Sequence, residues 1–147
     1  PNAMNLFHQI LIPTDFSLAA WHAVQLGLRL IAPENSRLTL LHVFPSGPSE
    51  RSGDLQLMEG LRRQMDDLCL TLERSQKKKI QPVILGGEVE GEVLKFIQAN
   101  AFELIILGVN SNGVDNEPGS HISGIIAKAN APVMVMPNVI NETHQVS

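Results

Sequence analysis

Short apolar runs alternate with longer amphipathic segments along the chain, and this alternation limits the folds it can adopt more than any other feature. Five runs have the character of β-strands, at about residues 8–13, 38–44, 80–85, 104–109 and 133–136. Four segments with helical periodicity lie between them, at about residues 17–32, 54–76, 88–100 and 120–130. Strands separated by helices predict an α/β fold with an open, parallel five-stranded sheet and helices on both faces.

The apolar faces of the helices predict which residues enter the core. In the second helix, apolar residues step by 3, 4, 3 and 4 at Met58, Leu61, Met65, Leu68 and Leu72, which is typical of core packing. The other expected inward positions are Ala20, Val24, Gly27 and Ile31, then Val93, Ile97 and Ala101, and finally Ile122, Ile125, Ile126 and Ala129. Ser17 and Ser120 are the expected N-caps of the first and last helices, and Gly86-Gly87 the expected turn after the third strand.

The length of 147 residues predicts one domain. We interpret residues 1–3 as a cloning remnant with Met4 as the native start, residues 4–137 as the domain, and residues 138–147 as a frayed polar tail.

Composition excludes several classes of protein. The net charge of −4 disfavours nucleic-acid binding, and a 44% hydrophobic content with 18% charged residues excludes disorder over most of the chain. The sequence contains no run of 18 apolar residues, which a membrane-spanning helix would need, and no secretory signal is visible. The single cysteine, Cys69, cannot form an internal disulfide, so we expect a core thiol in a reducing cytoplasm.

Candidate ligand-binding residues follow the strands, because open α/β sheets bind ligands beyond the carboxyl ends of their strands. Asp15 follows the first strand, where its carboxylate can accept hydrogen bonds from an adenine or a ribose. A local turn or cap bond explains Asp15 equally well.

A second candidate segment runs from Gly108 through Ser111 to Gly119-Ser120 at the start of the last helix. Glycines permit close approach of the backbone to a phosphate, and a helix N-terminus offers free N–H groups. Both features are also ordinary at a junction between a loop and a helix.

Signatures of catalysis and metal binding are missing. The sequence contains no P-loop, no dinucleotide fingerprint and no nucleophile elbow, and its five histidines lack metal-ligand spacing. Glu88, Glu90 and Glu92 suit a helix N-terminus, while His42, Phe16 and Trp21 suit packing. We therefore expect no enzyme activity and no metal cofactor.

Four segments together resemble the universal stress protein (UspA) family: ILIPTDFS, LTLLHVF, ELIILG and GSHISGIIAKANAPVMVMP. The resemblance covers about residues 6–137. It implies a Rossmann-like sheet of order 3-2-1-4-5, a cytoplasmic stress-response role, frequent dimerisation and, in some members, ATP binding.

The resemblance also implies the residues of a nucleotide site. Pro13, Thr14 and Asp15 would meet the adenine and ribose, as would the backbone of Val43. The remaining residues would follow the ribose and phosphates: Leu107, Gly108, Ser111, Gly119, Ser120 and the amide of His121.

The sequence departs from the family's nucleotide motif, which has a G-x-x-G, nine residues and then G-[ST]. Ser111 replaces the second glycine, and only seven residues, 112–118, precede Gly119-Ser120. That shortened loop contains Asp115 and Glu117 but no Lys or Arg. A triphosphate needs donors and positive potential, so we expect ATP to bind weakly or not at all, with AMP less affected.

Two functions in the same family stay open: an adenine-nucleotide-binding sensor or regulator, and a dimeric interaction module that binds no ATP. A receiver domain is disfavoured because the acidic pair, the phosphoacceptor Asp and the Lys expected after its strands are absent. A hydrolase is disfavoured because no set of nucleophile and base is visible. The uncharged fifth strand, Val133, Met134, Val135 and Met136, lies at an edge in the family's sheet order and predicts a homodimer.

Overall fold

The computed structural model describes residues 6–45, 52–109 and 121–137. Strands and helices alternate strictly through these ranges. They are β1 (Gln9–Pro13), α1 (Leu18–Leu30), β2 (Arg37–Pro45), α2 (Ser52–Gln76), β3 (Ile80–Gly87), α3 (Val89–Ala99), β4 (Leu104–Val109), α4 (His121–Lys128) and β5 (Val133–Pro137).

The five strands form one parallel sheet of order β3-β2-β1-β4-β5. This confirms the Rossmann-like fold and the strand order expected from the sequence. Ile10 pairs with Leu38 of β2 on one side and with Leu104 of β4 on the other. The central strand therefore has a neighbour at each edge, and helices cover both faces of the sheet above and below it, which explains why Ile10, Leu11 and Ile12 are fully buried.

Each face of the sheet has its own apolar core. The core under α1 and α2 contains Ile10, Ile12, Leu38, Leu40, Val24 and Met65, among others. The core under α3 and α4 contains Leu11, Leu41, Val43, Val93, Ile97, Leu107 and Ile125. Alternate residues of one strand enter opposite cores, as the period of a β-strand requires.

Both described helix N-caps use local side chains. Ser17 Oγ accepts a hydrogen bond from Ala20 N at 3.2 Å, which confirms the predicted cap of α1. Glu88 caps α3 by accepting from Gly91 N at 2.8 Å. The other predicted cap, Ser120, lies outside the described residues.

Three local expectations are wrong. Gly86 and Gly87 do not form a turn; they continue β3 and pair with Phe44 and Pro45 of the long strand β2. Ala101 is exposed because α3 ends at Ala99 and Asn100 is already extended.

Ile126 is the third wrong expectation, since 46% of it is exposed while Ile125 is buried. The helix α4 has eight residues, and its inward face is narrower than the run of apolar residues suggests. Ile122 was also expected to point inward, but the structure does not describe its side chain.

Within the described ranges, no helix combines the length and the apolar character that crossing a bilayer demands.

Candidate functional site

The sheet has its topological switch point between β1 and β4. The chain leaves the carboxyl end of β1 into α1 on one face of the sheet, whereas it leaves the carboxyl end of β4 toward α4 on the opposite face. Connections that diverge in this way open a crevice at the carboxyl ends of the two strands.

A cleft of about 330 Å³ occupies this crevice. It is lined by the carboxyl ends of three strands and by the helices of one face: Pro13, Thr14, Asp15, Leu41, His42, Val43, Leu107, Gly108, Val89, Val93 and Ile125. Most of these side chains are apolar, and the few polar groups gather at the end of β1. Apolar walls with a few placed polar groups are typical of small-molecule sites.

The turn after β1 is fixed by its own side chains. Thr14 Oγ1 accepts from Phe16 N at 3.0 Å, and Asp15 Oδ1 accepts from Ser17 N at 2.9 Å. Phe16 takes a positive φ of 66° between them, a conformation that a non-glycine residue rarely adopts without such support. The turn therefore holds Asp15 at the mouth of the cleft.

One of the two carboxylate oxygens of Asp15, Oδ1, forms the local turn bond that the sequence also allowed. Its other oxygen, Oδ2, has no protein partner within the described ranges. Because Asp15 is exposed and lines the cleft, Oδ2 is available to accept a hydrogen bond from a ligand hydroxyl. The structural role and the binding role are compatible in this residue.

His42 joins β2 to the same turn. Its Nδ1 lies 2.8 Å from the carbonyl oxygen of Thr14, and since a carbonyl only accepts, Nδ1 carries the proton and donates. Nε2 of the neutral ring is then an acceptor. The ring also packs on Phe16, with centroids 4.8 Å apart, so His42 and Phe16 are packed as predicted, but His42 also lines the cleft.

The backbone of Val43 forms one edge of the cleft. Arg37 N donates to His8 O, and Leu41 O accepts from Thr14 N, both at 2.8 Å, so the odd-numbered residues of β2 direct their N–H and C=O groups toward β1. Val43 continues that series two residues further on, where β1 has already ended at Pro13. Its backbone donor and acceptor therefore face the open end of β1.

Gly108 brings α1 close to the end of β4. A Cβ added at Gly108 would collide with the carbonyl group of Ala19 and would lie 2.6 Å from Ala20 N. The missing side chain thus lets the first turn of α1 rest on β4. The predicted reason for this glycine, close approach to a phosphate, stays a prediction, and the group that approaches Gly108 in the structure is the backbone of α1.

The glutamates at the start of α3 have structural roles. Glu88 is the N-cap, Glu92 Oε2 lies 3.1 Å from Lys95 Nζ, and Glu90 packs against Gly124 of α4 with an oxygen 3.9 Å from Lys128 Nζ. In the described part of the chain, no three His, Cys, Asp or Glu side chains gather as metal ligands would.

The structure brings together six of the ten predicted site residues: Pro13, Thr14, Asp15, Val43, Leu107 and Gly108. Ser111, Gly119 and Ser120 lie outside the described residues, and of His121 only its position at the start of α4 is described. Sequence reasoning missed Leu41, Val89, Val93 and Ile125 as lining residues. The spacing indicates that such residues share a face: Leu41 precedes Val43 by one strand period, and Val89 precedes Val93 by one helical turn.

The fold and the site define the class of protein: an α/β domain with a ligand cleft at its topological switch point. The family model described as the universal stress protein family matches residues 6–137. The chain belongs to the universal stress protein family.

Solved structures agree on the fold. The universal stress protein UspA from Lactobacillus plantarum is 20% identical, with a TM-score of 0.71 over 89% of this chain and 98% of that one. A universal stress protein family protein from Arabidopsis thaliana with AMP bound is 16% identical, with a TM-score of 0.68 over 92% and 95%. One from Archaeoglobus fulgidus in complex with dAMP is 16% identical, with a TM-score of 0.67 over 89% and 98%. No curated protein matches the chain.

Proposed function

We propose that this protein is an adenine-nucleotide-binding regulatory domain that takes AMP at the cleft between β1 and β4 and catalyses no reaction. The observation that carries the proposal is the cleft itself, which the backbone edge of Val43, the Asp15 carboxylate and mostly apolar side chains line together. Relatives of the same fold support it, since one is described with AMP bound and others are complexes with dAMP and cAMP.

The two ends of a nucleoside match the two kinds of polar group in the cleft. An adenine edge carries a donor beside an acceptor, and the backbone of Val43 offers the complementary pair. A ribose hydroxyl can donate to Asp15 Oδ2, while Leu107 and Gly108 contact the sugar. The N-terminus of α4, with the Gly119, Ser120 and His121 amides, would receive a phosphate.

AMP suits this chain better than ATP. A volume of about 330 Å³ is near the lower end of ordinary ligand sites, so it suits a mononucleotide better than a triphosphate. The segment that precedes Gly119-Ser120, residues 112–118, contains Asp115 and Glu117 but no Lys or Arg, and Ser111 replaces a glycine before it. Each uncompensated like charge costs on the order of 1 kcal/mol near a protein surface, roughly fivefold in affinity.

Calorimetric titration with AMP, ADP and ATP in physiological salt tests the proposal. We expect affinity to fall with each added phosphate. Asp15→Ala should weaken AMP about tenfold, because the ribose loses a charged acceptor, whereas Asp67→Ala, an exposed carboxylate on α2, should change nothing. Submicromolar ATP binding would contradict the AMP preference, and no binding of any of the three would favour the interaction module.

A homodimer is the second part of the proposal, and exposed apolar side chains favour it. Met134 and Val135 of the edge strand β5 are 38% and 39% exposed, and Ile126 of α4 is also exposed. Pairing β5 with its copy would satisfy open backbone groups and cover these side chains. We place this dimer in the cytoplasm, where the free thiol of Cys69 persists.

A further inference from the structure

A second cavity lies on the α3 side of the sheet, at the amino ends of the strands and thus opposite the nucleotide cleft. Its volume is about 430 Å³, and its polar lining comes from three neighbouring strands: Gln9 of β1, Arg37 and Thr39 of β2, and Gln81 of β3. These residues share one face because Gln9 pairs with Arg37 and Thr39 pairs with Gln81. The remaining wall comes from the end of α3 and the segment that follows it.

The buried hydroxyl of Thr39 is the feature that marks this cavity as a binding site. It is 3% exposed, and in the described part of the chain it is the only polar residue in the buried class. Its hydroxyl has no side-chain hydrogen bond to any described residue, although a buried hydroxyl without a partner destabilises a fold. Thr39 lines the cavity, so a molecule in the cavity can supply the partner that the described residues do not.

Arg37 gives the cavity its charge. It is exposed at the cavity rim and forms no ion pair with any residue in the described ranges. Glu103 forms no ion pair with Arg37; its Oε1 instead accepts from His8 N at 2.6 Å and lies 3.9 Å from His8 Nδ1. No carboxylate is found among the described lining residues, so the cavity favours an anion.

Aromatic rings supply the apolar part of the wall. Phe96 and Phe102 have ring centroids 5.8 Å apart and an interplanar angle of 30°. Asn100 lies between them in sequence and fixes this wall by donating from Nδ2 to Phe96 O at 2.9 Å. Paired rings beside a cation suit a flat apolar body that carries one negative group.

We propose that this cavity binds a small monocarboxylate with a flat apolar body. The carboxylate lies between the Arg37 guanidinium and the Thr39 hydroxyl, and the body rests against Phe96 and Phe102. Arg forms its strongest hydrogen bonds with planar carboxylates, and the hydroxyl of Thr39 donates to the same group. The site is separate from the nucleotide cleft and does not depend on nucleotide binding.

Benzoate is the probe, titrated into the ¹⁵N-labelled full chain and followed by amide chemical shifts. We expect saturable shifts around Gln9, Thr39 and Phe102, with a dissociation constant on the order of 1 mM. Arg37→Gln should weaken binding about tenfold and Thr39→Val about threefold. Arg29→Gln, the same exchange at an exposed site on α1, should leave binding unchanged.

Several results would overturn the proposal: no saturable shift at about 10 mM benzoate, equal affinity for the neutral analogue benzamide, or unchanged affinity in both Arg37→Gln and Thr39→Val. The last result would leave only water as the partner of the Thr39 hydroxyl. Thr39→Ser keeps the hydroxyl and should retain binding, which separates a lost hydrogen bond from a disturbed strand.

Discussion

Gly108 is the residue on which both the packing of α1 and the shape of the cleft depend. Its Cα faces the backbone of Ala19 and Ala20, and backbone cannot move aside as a flexible side chain can. Any side chain at this position must push α1 away from β4, and the turn containing Asp15 would move with it. Stability and ligand binding are therefore linked at one glycine.

Gly108→Ala should lower the free energy of unfolding by about 3 kcal/mol, the upper range for an overpacked core position. Urea unfolding followed by the fluorescence of Trp21, the single tryptophan, measures it. Gly60→Ala is the matched control, because Gly60 is exposed in α2 with nothing near its missing Cβ. That exchange should raise stability by about 0.5–1 kcal/mol, and a Gly108→Ala protein as stable as the wild type would contradict the close contact.

Ionisation of the Cys69 thiol makes the free energy of unfolding depend on pH in the alkaline range. Burial, reinforced by the charges of Asp66 and Glu73, raises the pKa of its thiol from 9.0 to about 12. Between these values the unfolded chain loses the proton that the folded chain keeps, so rising pH favours unfolding, and below pH 9 the effect vanishes.

The comparison of wild type with Cys69→Ala isolates this titration, since lysines titrate in both proteins and tyrosine is absent. The stability advantage of the wild type should be constant up to about pH 9 and shrink as pH approaches 12. An advantage that stays the same from pH 8 to pH 11 would show that the thiol ionises equally in both states.

At the scale of elements, the edge strand β5 and the neighbouring helix α4 carry exposed apolar side chains at Met134, Val135 and Ile126. Val135→Lys places a charge on the exposed face of the edge strand, so we expect it to convert the dimer to a monomer, as measured by light scattering at tens of micromolar protein. Leu57→Lys on α2 is the control, because Leu57 is also exposed but lies on the other face of the sheet. A wild-type monomer, or a dimer that persists in Val135→Lys, would contradict pairing through β5.

The elements themselves were predictable, whereas their ends and outward faces were less so. Strict alternation identified the strands and helices of the described ranges, and Ser17 identified the start of α1. The turn predicted at Gly86-Gly87 was wrong because the partner strand β2 is long enough to keep both glycines in the sheet. The inward position predicted for Ile126 was wrong because hydrophobicity alone does not distinguish a residue facing the core from one on an uncovered surface.

At the scale of the whole molecule, the chain carries two separate cavities on the α3 and α4 side of its sheet. The cleft at the carboxyl ends follows from topology, and that rule predicted Asp15 and Gly108. The resemblance to the family implied the other strand-end residues: Pro13, Thr14, Val43 and Leu107. The cavity at the amino ends was not predictable, because it depends on how the end of α3 lies over Arg37 and Thr39. Helix periodicity does not determine that placement.

The central claim is that AMP binds between β1 and β4, and residue-resolved titration of the ¹⁵N-labelled protein with AMP tests it most directly. The account predicts saturable shifts of the Asp15, Val43 and Gly108 amides while Arg37 and Thr39 stay unaffected. The absence of saturable shifts, or shifts confined to residues outside the cleft, would contradict it.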